Sequence, residues 1–134
     1  MELAGRILED FMGMTELTEA TFEQTVTGNE IVLVDWWASW CGLCRAFAPV
    51  FEAAAAEHDD IVFAKVDTEA EQTLATMAGI MSIPTLMVFR QGVLVFSQPG
   101  ALPAAALEDI ISQVRALDMD DVHRAVAAQA AGRP

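Results

Sequence analysis

The sequence predicts an α/β protein with a central mixed β-sheet that carries helices on both faces. Apolar segments of strand length alternate with helix-like segments through the middle of the chain. Residues 31–36 form an almost continuous apolar run, which is typical of a strand covered on both faces. Gln91-Gly92 separates two further apolar segments as a hairpin turn would. We therefore expect the order strand, helix, strand, helix, hairpin, helix.

Proline and glycine mark several of the element boundaries. Pro49 falls inside the first helix and should kink it. Gly79 ends the second helix, and Pro103 opens the last one. The predicted elements are a strand at 31–36, a helix at 45–57, a strand at 61–66, a helix at 69–78, a hairpin of strands at 85–89 and 93–96, and a helix from 103 to about 117.

The two ends of the chain are predicted as extensions of this domain. Leu3, Ile7 and Phe11 recur at helical spacing, so residues 2–12 predict an amphipathic helix. Residues 118–134 open with aspartates that could cap a helix, but its apolar face is small, so this segment is either a weak helix or frayed. The predicted division is an N-terminal extension at 1–14, a domain at 15–117 and a C-terminal extension at 118–134.

Composition restricts the class of partner. The 134 residues suit one domain with a sizeable core, and 7 basic against 20 acidic residues give a net charge of −13. Because no Lys and Arg cluster is present to neutralise phosphate, we expect no nucleic-acid partner and no binding to anionic membranes. We find no apolar run of membrane-spanning length and no signal-peptide pattern at the N-terminus. We therefore expect a cytoplasmic protein.

Cys41 and Cys44 are the two cysteines of the sequence, and they lie between a predicted strand and a predicted helix. At this spacing two sulfurs share a helix face and are close enough to bridge. Cys41 would lie at the helix N-terminus, where free N–H groups favour the thiolate that attacks a disulfide. Cys44 would be better shielded and would suit a resolving role. The alternative is a pair of unreactive core cysteines.

A metal site is a further alternative for the cysteine pair. Structural zinc takes four ligands, and the sequence offers no third cysteine. His58 and His123 lie in unrelated segments and are predicted to be solvated residues at helix ends. We therefore expect no metal ion within one chain, while a metal shared between two chains stays open.

Asp35 interrupts the apolar run on the face that carries Ile31 and Leu33. A buried carboxylate has a raised pKa and can transfer a proton near neutral pH. Since Asp35 comes just before the cysteine turn, its side chain could face Cys44 from beneath. Lys65, on the next strand, would either pair with it or reach the surface. An aspartate at a strand end that faces water is the alternative.

The motifs together resemble those of the thioredoxin family, from about residue 17 to about residue 117. A CxxC pair alone is a weak signal, but the full set at this spacing is very specific. The residues that carry the resemblance are Val34-Asp35-Trp36-Trp37-Ala38, Trp40-Cys41-Gly42-Leu43-Cys44, Pro49, Ala64-Lys65-Val66-Asp67, Gly79-Ile80, Ile83-Pro84-Thr85, Gln91-Gly92 and Gly100-Ala101-Leu102.

The resemblance implies a thioredoxin fold and a protein-disulfide reductase without a cofactor. Cys41 would attack and Cys44 would resolve, with Asp35 as the acid–base group and Lys65 beside it. Pro84 would be cis and would pack next to the cysteines, whereas the residues alone predict an ordinary trans bond at this strand start. The partners would be disulfide-bearing proteins and a recharging reductase, such as thioredoxin reductase. The implied substrate groove consists of Trp40, Gly42, Leu43, Ile83, Gly100 and Ala101.

Two residues depart from the family pattern: Leu43 replaces a proline, and Arg45 replaces a lysine. Residues between the cysteines tune the reduction potential, so a more oxidising disulfide donor or isomerase is one alternative function. A thioredoxin-fold interaction subunit that docks through its terminal extensions is another. Leu43 adds an N–H at the helix start, and we expect this donor to stabilise the Cys41 thiolate and raise the potential slightly.

Overall fold

The computed structural model describes residues 14–132, so the helix predicted at 2–12 lies outside the described residues. None of the helices within residues 14–132 combines the length and apolarity needed to cross a bilayer. The elements in chain order are β1 (Met14–Glu16), α1 (Phe22–Thr27), β2 (Ile31–Trp37), α2 (Gly42–Glu57), β3 (Val62–Asp67), α3 (Gln72–Met77), β4 (Thr85–Arg90), β5 (Val93–Pro99), α4 (Ala104–Arg115) and α5 (Met119–Ala131).

The strands form one five-stranded sheet in the order β1-β3-β2-β4-β5. β3 runs parallel to both β1 and β2, whereas β4 runs antiparallel to β2 and β5. The sheet is therefore mixed, as the sequence predicts. β2 lies at its centre, and every residue from Ile31 to Trp36 is buried. This burial explains the continuous apolar run, because a central strand needs apolar side chains on both of its faces.

Helices cover both faces of the sheet and divide the core into two clusters. On one face, α2 and α4 contribute Phe51 and Leu107, which pack with Leu33 of β2. On the other face, α3 contributes Leu74, which packs with Trp36 of β2. Burying each large apolar side chain stabilises the fold by about 1.5–3 kcal/mol. The layered α/β prediction is confirmed.

Two helices begin at residues that differ from the predicted ones. The helix predicted at 69–78 begins at Gln72, because Asp67 Oδ1 accepts hydrogen bonds from the N–H groups of Glu69 and Ala70 and holds that segment as a turn. The helix predicted at 45–57 begins earlier, at Gly42, because the Cys41 side chain caps it. Because of this earlier start, Cys41 is the N-cap of the helix and Cys44 lies in its first turn.

Within the described residues, the C-terminal extension forms the helix α5. The Asp118 side chain caps α5 by accepting from the N–H groups of Asp120 and Asp121. Met119 is buried, and Val122 lines a shallow groove between α5 and β5. The Asp118 cap and the contact with β5 therefore stabilise this helix, although its apolar face is small.

Candidate active site

The cysteine pair lies where β2 ends and α2 begins. Cys41 is the N-cap of α2, with extended backbone dihedrals of φ −86° and ψ 114°. The main-chain N–H of Cys44 donates to Cys41 Sγ at 3.1 Å. Both thiols are free. The first turn of the helix therefore directs the Cys44 N–H at the Cys41 sulfur, where it can stabilise negative charge.

Cys44 is one turn further along α2 and only 3% exposed. Burial raises the pKa of its thiol to about 12, and the hydrogen bond with the Cys41 side chain adds to the effect. The Asp35 carboxyl contributes in the same direction through its charge. Cys44 is thus protonated at neutral pH and needs a base before it can react as a thiolate.

The loop before β4 supplies the other side of the site. The Ile83-Pro84 peptide bond is cis, which confirms the geometry that the family resemblance implies and overturns the trans bond predicted from the residues alone. Cys41 Sγ lies 3.8 Å from the Ile83 carbonyl oxygen. The N–H of Gly100 donates to the Pro84 carbonyl at 2.8 Å, and its φ of +107° is a conformation that favours glycine. This bond joins the end of β5 to the loop beside the cysteines.

An apolar surface borders the reactive sulfur. Trp40 and Leu43 are 65% and 60% exposed, and Trp40 Nε1 donates to Glu69 Oε1 at 2.6 Å. Met81, which the sequence did not single out, is 94% exposed. A cavity of about 340 Å³ beside this surface is lined by Trp40, Thr68, Ala75, Ile80, Met81, Ser82 and Ile83.

The predicted groove residues lie at three places in the structure. Trp40 and Ile83 both line the cavity. Gly42 and Leu43 are exposed at the start of α2. Gly100 is bonded to Pro84, and Ala101 follows it as an exposed residue.

Asp35 is fully buried in β2, as its place in the apolar run predicts. Neither carboxyl oxygen hydrogen-bonds to another described residue. Burial raises the pKa of Asp35 to about 7, while the charge of Lys65 lowers it and the charge of Glu16 raises it. The solvated-aspartate alternative is therefore wrong, and the carboxyl can exchange a proton close to neutral pH.

Lys65 lies directly opposite Asp35 in the parallel register of β2 and β3. Its Nζ is 4.7 Å from the centroid of a Trp37 ring. The sequence left two possibilities for Lys65, pairing with Asp35 or reaching the surface. The structure instead places its ammonium over an aromatic face, close enough for its charge to lower the Asp35 pKa.

The two histidines lie away from the cysteines. His58 Nε2 is 2.7 Å from Glu108 Oε2, and His58 Nδ1 is 3.1 Å from Arg115 Nη2. His58 lies at the end of α2, as predicted, but it is half-buried and joins α2 to α4 instead of facing only water. His123, on α5, contacts the Gln91 side chain at 2.7 Å.

A dithiol at a helix start, a buried carboxyl whose charge raises the Cys44 pKa and a cis-proline beside Cys41 define a thiol–disulfide oxidoreductase. The family model Thioredoxin matches residues 13–113. The chain belongs to the thioredoxin family and is a protein-disulfide reductase that acts by dithiol–disulfide exchange through its CxxC pair. Thioredoxins act on disulfide-bearing substrates and are generally recharged by a reductase.

Individual relatives agree with this family. The chain is 61% identical to "Putative thioredoxin 2" of Streptomyces coelicolor, over 87% of each chain. It is 42% identical to a thioredoxin of Porphyra purpurea, over 76% of this chain and 97% of the relative. A mutant thioredoxin from Halobacterium salinarum superposes with a TM-score of 0.72 at 32% identity, covering 78% of this chain and 92% of that one.

Proposed function

We propose that Cys41 is the attacking thiol and Cys44 the resolving thiol. The Cys41 thiolate attacks one sulfur of a substrate disulfide, which forms a mixed disulfide and releases one substrate thiolate. The Cys44 thiolate then attacks Cys41 Sγ, which forms the Cys41–Cys44 disulfide and releases the second substrate thiolate. Two electrons pass from the dithiol to the substrate. The N–H of Cys44 that donates to Cys41 Sγ at 3.1 Å is the observation that carries this assignment.

Asp35 is the base that takes the Cys44 proton in this proposal. Burial raises both pKa values, to about 7 for the carboxyl and to about 12 for the thiol. An ionised Asp35 can thus accept a proton that Cys44 does not release unaided, and it can pass that proton to the departing substrate thiolate. The positive charge of Lys65 would lower the pKa of Asp35. Pro84 would hold the Ile83 carbonyl beside the reactive sulfur.

Substrate chains would bind in extended form across the apolar surface. The Ile83 backbone, 3.8 Å from Cys41 Sγ, would pair with the substrate strand. Trp40 and Leu43 would supply apolar contacts on one side, and Gly42 would allow close approach. Gly100 and Ala101 would border the other side. Substrates would therefore be proteins with a disulfide in an accessible, locally extended segment.

The partner that recharges the dithiol would be thioredoxin reductase, and the compartment would be the cytoplasm, where disulfide reduction is sustained. We also propose the division into extensions at 1–14 and 118–134 around a domain at 15–117. The family match over residues 13–113 lies close to both boundaries, although Met14 already pairs with β3. Recharging by the purified reductase, measured as substrate turnover with a nicotinamide donor, tests the partner.

A more oxidising donor or isomerase is a second candidate, because Leu43 stands where the family has proline and is 60% exposed. An interaction subunit that docks through its extensions is a third. Equilibration of the dithiol with glutathione separates the first two, since a reductase requires a potential near that of thioredoxin, about −270 mV. Normal turnover after deletion of residues 1–13 and 119–134 would argue against the third.

Trapping of the mixed disulfide tests the assignment of the sulfurs. Cys44→Ser should accumulate a covalent complex with insulin, visible by mass spectrometry and dissolved by dithiothreitol. Cys41→Ser, the matched control, should accumulate none. A complex that forms through Cys44 in the control would overturn the assignment.

A further inference from the structure

Trp37 and Lys65 make a contact that the exchange reaction described above does not use. Lys65 Nζ lies 4.7 Å from the Trp37 ring centroid, within the distance of about 6 Å at which an aromatic face attracts a cation. Trp37 follows Asp35 by two residues on β2, so both side chains lie on the same face of the sheet. Lys65 is the register partner of Asp35 on β3. The carboxyl, the ring and the ammonium are therefore neighbours on one face.

Main-chain hydrogen bonds at the end of β2 and the partial burial of the side chain fix the position of Trp37. Trp37 is half-buried, and its carbonyl accepts from the Thr68 N–H at 2.9 Å and from Thr68 Oγ1 at 3.0 Å. Its Nε1 is buried and bonds to no other described residue. The indole N–H thus does not orient the ring toward a polar partner, and the ring face remains available to the ammonium.

Charged and titratable groups face Asp35 from three elements. Lys65 lies on β3, Glu16 on β1 is the register partner of Lys65, and Cys44 on α2 interacts with the charge of Asp35. Glu16 is exposed on an edge strand, whereas Asp35 is fully buried. In the register of the sheet, Lys65 therefore lies between the buried Asp35 and the exposed Glu16.

We propose that Trp37 is a positioning residue for the exchange reaction, because its indole face holds the Lys65 ammonium beside the Asp35 carboxyl. An ammonium is strongly hydrated, so without the ring Lys65 would turn toward water and Glu16. Asp35 would then lose a stabilising positive charge and would bind its proton more tightly. The inference rests on the proposed role of Asp35, but the contact and its electrostatic effect can be measured without any turnover.

The test is the titration of the Asp35 carboxyl in the reduced protein, followed by the ¹³C shift of its labelled side chain. Asp35→Asn identifies the resonance by its absence. Trp37→Leu should raise the titration midpoint by about half a pH unit. Trp37→Phe, which keeps a weaker aromatic face in the same space, should raise it by less. The phenylalanine variant also keeps the test valid if the leucine variant folds poorly.

Lys65→Met supplies the control that separates positioning from general packing. Once the ammonium is absent, Trp37→Leu should no longer move the Asp35 midpoint. A midpoint that Trp37→Leu leaves unchanged or lowers would overturn the proposal. So would a shift of equal size with and without Lys65. Because the midpoint is measured without any disulfide exchange, failure here differs from failure of the mixed-disulfide trap.

Discussion

The N–H of Cys44 donates to the sulfur of Cys41 at 3.1 Å, so the helix that carries both cysteines treats them unequally. Cys41 caps the helix and receives the donor, whereas Cys44 supplies it from within the first turn. Burial raises the pKa of Cys44 to about 12. Cys41 can therefore react in the resting protein, whereas Cys44 first needs a base to remove its proton.

Alkylation of the reduced protein should follow this order. At pH 8 iodoacetamide should modify Cys41 at least about tenfold faster than Cys44, because the thiolate is the reacting form. Peptide mass spectrometry over a time course measures both rates. The single-cysteine variants Cys41→Ser and Cys44→Ser report each sulfur alone. Equal rates, or faster labelling of Cys44, would contradict the proposed roles.

Asp35→Asn should remove a pH-dependent loss of stability. The folded pKa of about 7 exceeds the ordinary value of 3.8, so between these values the native state keeps a proton that the unfolded chain releases. The free energy of unfolding of the wild type should therefore fall as pH rises from about 4 to about 7. The loss should not exceed about 4 kcal/mol.

Urea unfolding of the reduced protein at pH 4.5 and pH 8 measures this difference. The Asn variant should be more stable than the wild type at pH 8, and its advantage should shrink at pH 4.5. Asp59→Asn, at an exposed position, is the matched control and should show no such trend. An unfolding free energy for Asp35→Asn that equals the wild-type value at both pH values would exclude a costly buried charge.

Much of the sheet could be predicted because its central strand has a distinctive pattern. An apolar run with one carboxylate indicated both a covered strand and a buried Asp35. β1 and α1 were not predicted, because they span only 3 and 6 residues and are too short for periodicity to indicate them. β1 depends on pairing with β3, from Met14↔Phe63 to Glu16↔Lys65. Such pairing is set by the tertiary fold and has no local signal.

Some parts of the site could not be predicted from the sequence. The cysteines and Asp35 were identified because their residue types and spacing carry a chemical meaning, whereas the place of Pro84 beside them came only from the family resemblance. The contact of Lys65 with Trp37 was not, since neither residue specifies where a long flexible side chain ends. Met81 was missed because an exposed methionine differs from a buried one only by its environment.

Arg90→Met should destabilise the fold by about 2–3 kcal/mol. Arg90 Nη1 donates to the carbonyl oxygens of Val114 and Leu117 at 2.9 Å and of Arg115 at 3.3 Å. These carbonyls lie at the end of α4, where the helix leaves acceptors unpaired and its dipole favours a cation. Removing the guanidinium takes this donor from the partly buried Leu117 carbonyl and leaves the Val114 carbonyl with the Leu117 N–H at 3.3 Å.

Urea denaturation measures the change, with Arg124→Met as the control. Arg124 pairs with Asp121 on the exposed surface of α5, so its loss should change the unfolding free energy by no more than about 0.5 kcal/mol. If the two variants lose equal stability, the guanidinium does not cap α4 in solution.

Leu43→Pro should lower the reduction potential, although for a reason that differs in part from the one predicted from sequence. The amide that hydrogen-bonds to Cys41 Sγ is that of Cys44, so the expectation of a direct bond from Leu43 is wrong. Proline at this position keeps that bond, and it is tolerated in the first turn of a helix. It removes only the partial positive charge of the Leu43 N–H beside the thiolate. The reduced state should then lose a little stability, and the potential should fall by about 10–20 mV, the lower part of the range for one modest donor.

Glutathione equilibration gives the potential directly, and Leu43→Ala is the control, because it removes the exposed side chain but keeps the N–H. If both variants shift the potential equally, the side chain and not the amide accounts for the effect of this position.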